Sequence, residues 1–411
     1  MRSFISVSVV AVAAAFASAA PAQESSRAQD AAEGPSHSIL HEGALEFTAD
    51  SGWSIKPRGR IQLDATTIDV PNGIAADDGS ASEVRRASIG IDGKIPGGFG
   101  YRAEVNFATG TAEINDLYLT YQAAKWLTFT AGQRKPFWGL EESTSSLFSS
   151  FTERAAINTA FGYERRLGAS AEFASGVVLL QVGVFSDHVQ ELDDSENDPI
   201  SFDARAVVMP KVGGGQLHLG GSVHVRDFDD SADSARYRVR PFVHTSEMRF
   251  IDTGAIPATG ETGYGLEAAY IRGPFHAAAE THWQEVQRTD GPDPTFFGYA
   301  IEGGMFLTKG DTRGYKKGQF DRVKPSRPVG RGGIGAVQVN ARYDYLDLND
   351  AGIVGGKQHG YELSLIWMPT AYTRFVANYG RLNYSDAAVP ATGGDRSYGV
   401  DAFGARAQVD F

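Results

Sequence analysis

The stretch Tyr101-Arg-Ala-Glu-Val-Asn-Phe107 (YRAEVNF) alternates without a break. Tyr101, Ala103, Val105 and Phe107 fall on one side of an extended chain. Arg102, Glu104 and Asn106 fall on the other. Side chains of a strand point to opposite faces at every step, so this pattern specifies a sheet with one apolar and one polar surface. The same period runs along the chain. Ile61, Leu63 and Ala65 oppose Gln62, Asp64 and Thr66. Leu117, Leu119 and Tyr121 oppose Asp116, Tyr118, Thr120 and Gln122. Val337, Val339, Ala341 and Tyr343 oppose Gln338, Asn340, Arg342 and Asp344. The final segment sets Phe403, Ala405, Ala407, Val409 and Phe411 against Arg406, Gln408 and Asp410.

Two classes fit such a chain: an exported soluble β-protein or a β-barrel in the outer membrane. Met1-Arg-Ser3, the small apolar run Phe4–Ala19 and the site Ala20-Pro21-Ala22 read as a secretory signal peptide, with a second cut after Ala19 open. Cysteine is absent, so no disulfide framework, thiolate metal site or thiol nucleophile exists. After the signal, no run approaches the ~20 apolar residues of a spanning helix. The apolar face is broad and turns aromatic near strand ends, at Tyr101, Trp126, Tyr270, Trp283, Trp367, Tyr372 and Tyr379. Aromatic girdles around an outward apolar band are what a barrel in lipid requires. The expected fold is all-β, a transmembrane antiparallel up-and-down β-barrel of about sixteen strands, or eighteen if Met248–Ile256 spans as well. The expected division is residues 1–22 signal peptide, 23–45 polar tail and 46–411 barrel. The terminal aromatic Phe411 resembles the assembly signal of bacterial outer-membrane proteins.

Connections alternate in length. Lys94–Gly98, Gln122–Lys125, Ala174–Gly176 and Met368–Ala371 read as tight periplasmic turns. Pro71–Ser80, Ser186–Pro199, Arg226–Ser234 and Asp347–Lys357 read as acidic extracellular loops, best explained as solvated surface. Lys135–Gly162 is long, polar and rich in aromatics, which argues against disorder. In a wide barrel such a loop folds inward and narrows the lumen.

The formal net charge is −12, yet Arg236-Tyr-Arg-Val-Arg-Pro-Phe242 carries Arg236, Arg238 and Arg240 at every second position. Read as a strand, it turns all three into the lumen and Tyr237 and Val239 to lipid. The polar phase also places Arg86 and Arg134 inside. Arg85 follows the apolar phase and so needs a strand end or a bulge. Lys135 opens the inward loop, and Arg154, Arg165 and Arg166 lie near its end. Lys309–Arg331 is the most basic stretch, with Lys316, Lys317, Arg322 and Lys324, and counting strands back from Phe411 puts it at the periplasmic end.

Lys56–Asp64, Glu83–Gly90, Gly132-Gln-Arg-Lys-Pro-Phe-Trp-Gly-Leu-Glu141, Ser149–Arg154, Arg238-Val-Arg-Pro241, Ile251–Gly254, Leu307–Tyr315, Gln319–Pro325 and Arg342–Leu348 resemble the phosphate-selective porins O and P, in order over nearly the whole mature chain. The resemblance implies a sixteen-stranded homotrimer whose arginines and lysines pass anions stepwise, with the Arg85–Arg86 pair at the constriction. It covers Arg238 and Arg240 better than Arg236.

The function read here is a passive anion channel of the bacterial outer membrane, embedded in lipid and lipopolysaccharide, with inorganic phosphate or other small anions as solutes. No catalysis, cofactor, metal or nucleic acid is expected. Carboxylates in the lumen phase (Asp64, Glu104, Asp116, Glu280, Glu302) keep a general or differently selective porin open as the alternative. A barrel-embedded hydrolase stands further off, since no serine elbow motif appears. Gly330-Arg-Gly-Gly-Ile-Gly335 fits GxGxxG only formally, because no helix follows it. His276, Glu280 and His282 share a strand face, but His276 and His282 lie about 20 Å apart at ~3.3 Å per residue.

Overall fold

The computed structural model describes residues 40, 41, 44–74, 79–192, 199–228 and 234–411. The expected signal peptide and most of the polar tail lie outside them. Leu40–His41 and Ala44–Leu45 pair as a small hairpin at the tail's end.

Sixteen strands close into one antiparallel barrel: β1 (Ser54–Asp69), β2 (Gly79–Ile95), β3 (Phe99–Asn106), β4 (Glu113–Ala124), β5 (Leu127–Arg134), β6 (Arg166–Ser175), β7 (Val178–Phe185), β8 (Ile200–Val208), β9 (Gly215–Asp227), β10 (Ile256–Arg272), β11 (Phe275–Arg288), β12 (Thr295–Phe306), β13 (Ala336–Asp350), β14 (Ile353–Met368), β15 (Thr373–Ser385) and β16 (Gly399–Asp410). Short strands at Phe47–Thr48, Lys211–Val212 and Ser234–Ala235 extend the sheet. β16 pairs with β1 from Asp401↔Asp69 to Asp410↔Arg60, so the sheet has no free edge. Backbone bonds join Gly59 and Phe411 in both directions, and the Phe411 ring lies over Gly59, where a Cβ would sit 2.3 Å from it.

The alternation decides which way each face looks. Ile61, Leu63, Leu117, Leu119 and Phe403 are exposed on the outside, while Gln62, Asp64, Glu104, Asn340 and Arg406 are buried within. Met248–Ile256 adds no transmembrane strand, which leaves sixteen. The four tight turns lie where expected. Asp347–Lys357 is not a loop: β13 and β14 continue through it to a turn at Ala351 and Gly352, past a register shift at Asp347/Asn349.

Among the described residues, three long connections run into the barrel. Residues 135–165, between β5 and β6, carry the short helices α1 (Leu140–Ser143) and α2 (Ala156–Ala160). Residues 307–335, between β12 and β13, share an end with the tight turns and send in the hairpin Gly314–Lys316/Gln319–Asp321. The connection between β9 and β10 holds Arg236–Phe242, which corrects the strand reading of that stretch. Only Arg238–Val239 is extended, paired with Ile251–Asp252, and Tyr237 and Val239 are buried inside rather than turned to lipid. They join Phe161, Phe242, Phe250, Phe296, Leu346, Leu382, Tyr384 and Val400 in an apolar plug. Much of this plug packs on β12–β16, so the open lumen lies toward β1–β7.

Candidate functional site

The inward loop is fixed to one half of the wall. Glu280 on β11 accepts bonds from the backbone N–H groups of Leu140 and Glu141 and from Asn158 Nδ2. Trp138, fully buried, donates from Nε1 to His282 at 3.1 Å. Ser150 donates to Glu302 at 2.8 Å, and the Ala156 N–H to Asp344 at 3.0 Å. Arg374 donates to the Leu147 carbonyl and Arg406 to that of Thr152. The loop therefore cannot fill the other half, and a cavity of about 1160 Å³ remains between it and the strands toward β1–β7. Fourteen Lys and Arg line this space against eleven Asp and Glu, a local excess of cations in an acidic chain.

Ten of the fourteen residues expected from sequence line the cavity: Arg85, Arg86, Arg134, Lys135, Arg154, Arg165, Arg240, Lys316, Lys317 and Arg322. A β-bulge explains how Arg85 and Arg86 both do so. Val84 pairs with Leu63 and Arg86 with Gln62, so Arg85 is the extra residue. Arg166 and Arg236 instead border a separate cavity of about 310 Å³ beside Arg226 and Glu261. Arg236 is exposed and paired with Asp252 at 2.6 Å, and Arg238 and Lys324 are exposed and do not line this cavity. The basic connection thus contributes through its hairpin, whose Gly318 carbonyl accepts from Arg205 at 2.7 Å.

Lys56, Arg58, Arg60 and Arg102 line the cavity without having been singled out. Their signal was available: Lys56, Arg58 and Arg60 alternate in phase with Gln62 and Asp64, and Arg102 with Glu104.

Most of these cations have partners. Arg85 pairs with Glu153 through two 3.0 Å bonds, Arg58 with Asp92 at 2.7 Å and Arg165 with Asp116 at 2.8 Å. Arg60 pairs with Glu104, and Glu142 is shared by Lys135 and Arg154. Among the described residues, no carboxylate is in ion-pair contact with Lys56, Arg86, Arg134 or Lys316. Arg86 donates to Gln62 at 2.8 Å, and Arg134 lies 4.6 Å over the Phe137 ring. In the inward loop, burial would raise the Glu153 carboxyl, but Arg85 and then Arg406 hold it well below the usual carboxylate range. Glu142 is likewise held low, by Arg154 and Lys135 against its burial. Burial first, and Arg154 next, push the Lys135 ammonium down to about 7.

A closed sixteen-strand barrel with an inward loop and a charged lumen defines an outer-membrane porin, a channel through the bacterial outer membrane. The sequence model described as phosphate-selective porin O and P matches residues 55–411, and the chain belongs to that family. It is 45% identical over 383 residues to an uncharacterized protein of Caulobacter vibrioides, covering 91% of this chain and 77% of that one. It is 30% identical over 360 residues to Porin O of Pseudomonas aeruginosa, covering 77% and 78%. In fold it is similar to the anion-selective porin of Comamonas acidovorans, with TM-score 0.56, 14% identity and 88% and 100% of the two chains covered.

Proposed function

We propose that this porin passes anions in preference to cations, with inorganic phosphate among its solutes. The observation that carries this reading is the cationic excess of the cavity lining, where, among the described residues, Lys56, Arg86, Arg134 and Lys316 make no ion-pair contact with a carboxylate. An ion entering a narrow pore loses hydration, and fixed cations offset that loss. A guanidinium fork suits two phosphate oxygens at once, and lysine acts as a point charge. The eleven lining carboxylates keep each stop weak, so an anion is handed on rather than held. Assembly as a homotrimer, implied by the family resemblance, belongs to the same proposal, as do export through the signal peptide of residues 1–22, read from its charged start, apolar run and cleavage site, and contact with lipopolysaccharide.

Planar-bilayer recordings test it. Under a potassium chloride gradient, the reversal potential should report chloride as the more permeant ion, and millimolar phosphate should reduce the chloride current. Equal permeability without phosphate block would make this a general porin.

The lowered Lys135 adds a pH signature. Lys135 is charged below about pH 7 and neutral above it, so chloride preference should fall as pH rises from about 6 to 8. Lys135→Arg keeps the charge and should flatten that part of the profile. An unchanged slope in the variant would assign the titration to another group lining the cavity.

A further inference from the structure

Residues 234–255 cross the long-loop end of the barrel as a strap, and their tip, with Arg240, Phe242 and His244, forms part of the cavity wall. The strap leaves the β9–β10 side, where Tyr237 donates to Glu261 at 2.6 Å, and reaches across to β1 and β2. There Thr245 hydrogen-bonds Thr66, and His244 lies 2.9 Å from Glu83.

One residue at the tip is unlike its neighbours. Phe242 has φ +56°, a left-handed conformation that a bulky side chain adopts only when its surroundings compel it, and it is buried. Its ring occupies a slot made by two glycines on adjoining strands. A Cβ at Gly360 on β14 would lie 2.4 Å from the ring, and one at Gly380 on β15 would lie 2.6 Å from it. Two absent side chains and one strained backbone therefore serve a single contact.

We propose that Phe242 is the positioning residue that pins this strap across the mouth, and that the pin sets the width of the pore at that end. The Thr66 and His244 contacts are polar and only part-buried, so they yield to water more readily than the ring in its slot. Unpinned, the tip around Phe242 lifts off the wall while Tyr237, Val239, Phe250 and Ile251 keep the strap's two legs in the plug, and the cavity's long-loop end widens. Width depends on the channel alone, so the pin stands or falls separately from anion preference.

The test is single-channel conductance. Phe242→Gly removes the ring and suits the positive φ, so the barrel should fold and its conductance should rise about twofold, with larger open-channel fluctuations. Gly380→Ala fills the slot while leaving Phe242 in place and should act the same way. The chain contains no cysteine, so Thr66→Cys with Thr245→Cys creates a unique cross-link. Oxidised in the Phe242→Gly background, it should return conductance to the parental value, and reductant should raise it again. Parental conductance in both single variants, or a rise indifferent to the cross-link, would overturn the pin. Failure of both to give heat-modifiable folded barrels would do so too, because the ring would then serve folding and not pore width.

Discussion

Arg342→Met is expected to cost the barrel about 3–5 kcal/mol, the penalty of leaving buried carboxylates without their cation. Arg342 is buried on β13 and pairs with Glu362 on β14 and, at 3.1 Å, with Glu141 in the inward loop. It also donates to the Glu153 carbonyl at 3.1 Å. Its guanidinium lies 4.4 Å over Phe151 of the inward loop and 5.6 Å over Phe242 of the strap. One side chain therefore joins the wall to two of the connections that enter the barrel, the inward loop and the strap. Methionine fills similar volume but answers none of the carboxylates. The measurement is the temperature at which the folded band disappears on heat-modifiable electrophoresis, together with conductance. A stable barrel with parental conductance would mean that Glu141 and Glu362 find other partners. Arg342→Lys should recover part of the stability, since it restores one charge but not the fork that reaches both carboxylates.

Arg86→Glu is expected to weaken phosphate block of the chloride current at least about tenfold, equivalent to ~1.4 kcal/mol. The change alters two units of charge at a position where, among the described residues, no carboxylate is in ion-pair contact. A unit charge 4 Å from an anion is worth about 4 kcal/mol at the effective dielectric of a protein surface, and lumen water and salt screen much of that. Arg85→Glu should behave differently, because it sets a carboxylate against Glu153 and disturbs the inward loop. It should lower heat stability, whereas Arg86→Glu should lower block alone. Equal loss of block in both variants, with stability unchanged, would show that the Arg85–Glu153 pair does not anchor the loop.

Much of the barrel was legible because a period of two is a local property. Tyr101–Phe107 and Phe403–Phe411 carry their faces in their own residues, and the structure turns both as read. Arg85 was half legible: it broke phase, and the bulge that resolves the break is visible only where β2 meets β1. Of the lumen cations, Lys56, Arg58 and Arg60 were as plain in the alternation as any, and Gly59 between them is needed because the Phe411 ring lies on it. That contact joins the two ends of the barrel and has no trace in either local pattern.

Arg236–Phe242 marks where sequence stops. Its alternation correctly grouped Tyr237 with Val239 and opposed them to the arginines. What lay on each side was decided by tertiary structure, because β9 ends at Asp227 and the chain turns into the barrel instead of crossing the membrane again. Periodicity says which residues share a face; it does not say whether that face meets lipid, lumen water or a plug of Phe161, Phe250 and Tyr384. By itself, then, the sequence determined a cysteine-free, alternating chain that must close into a membrane barrel. Only the fold decided which half of the lumen the loops fill and which cations keep a carboxylate, because both depend on how separate strands and loops meet, as Arg85 with Glu153 and Arg342 with Glu141.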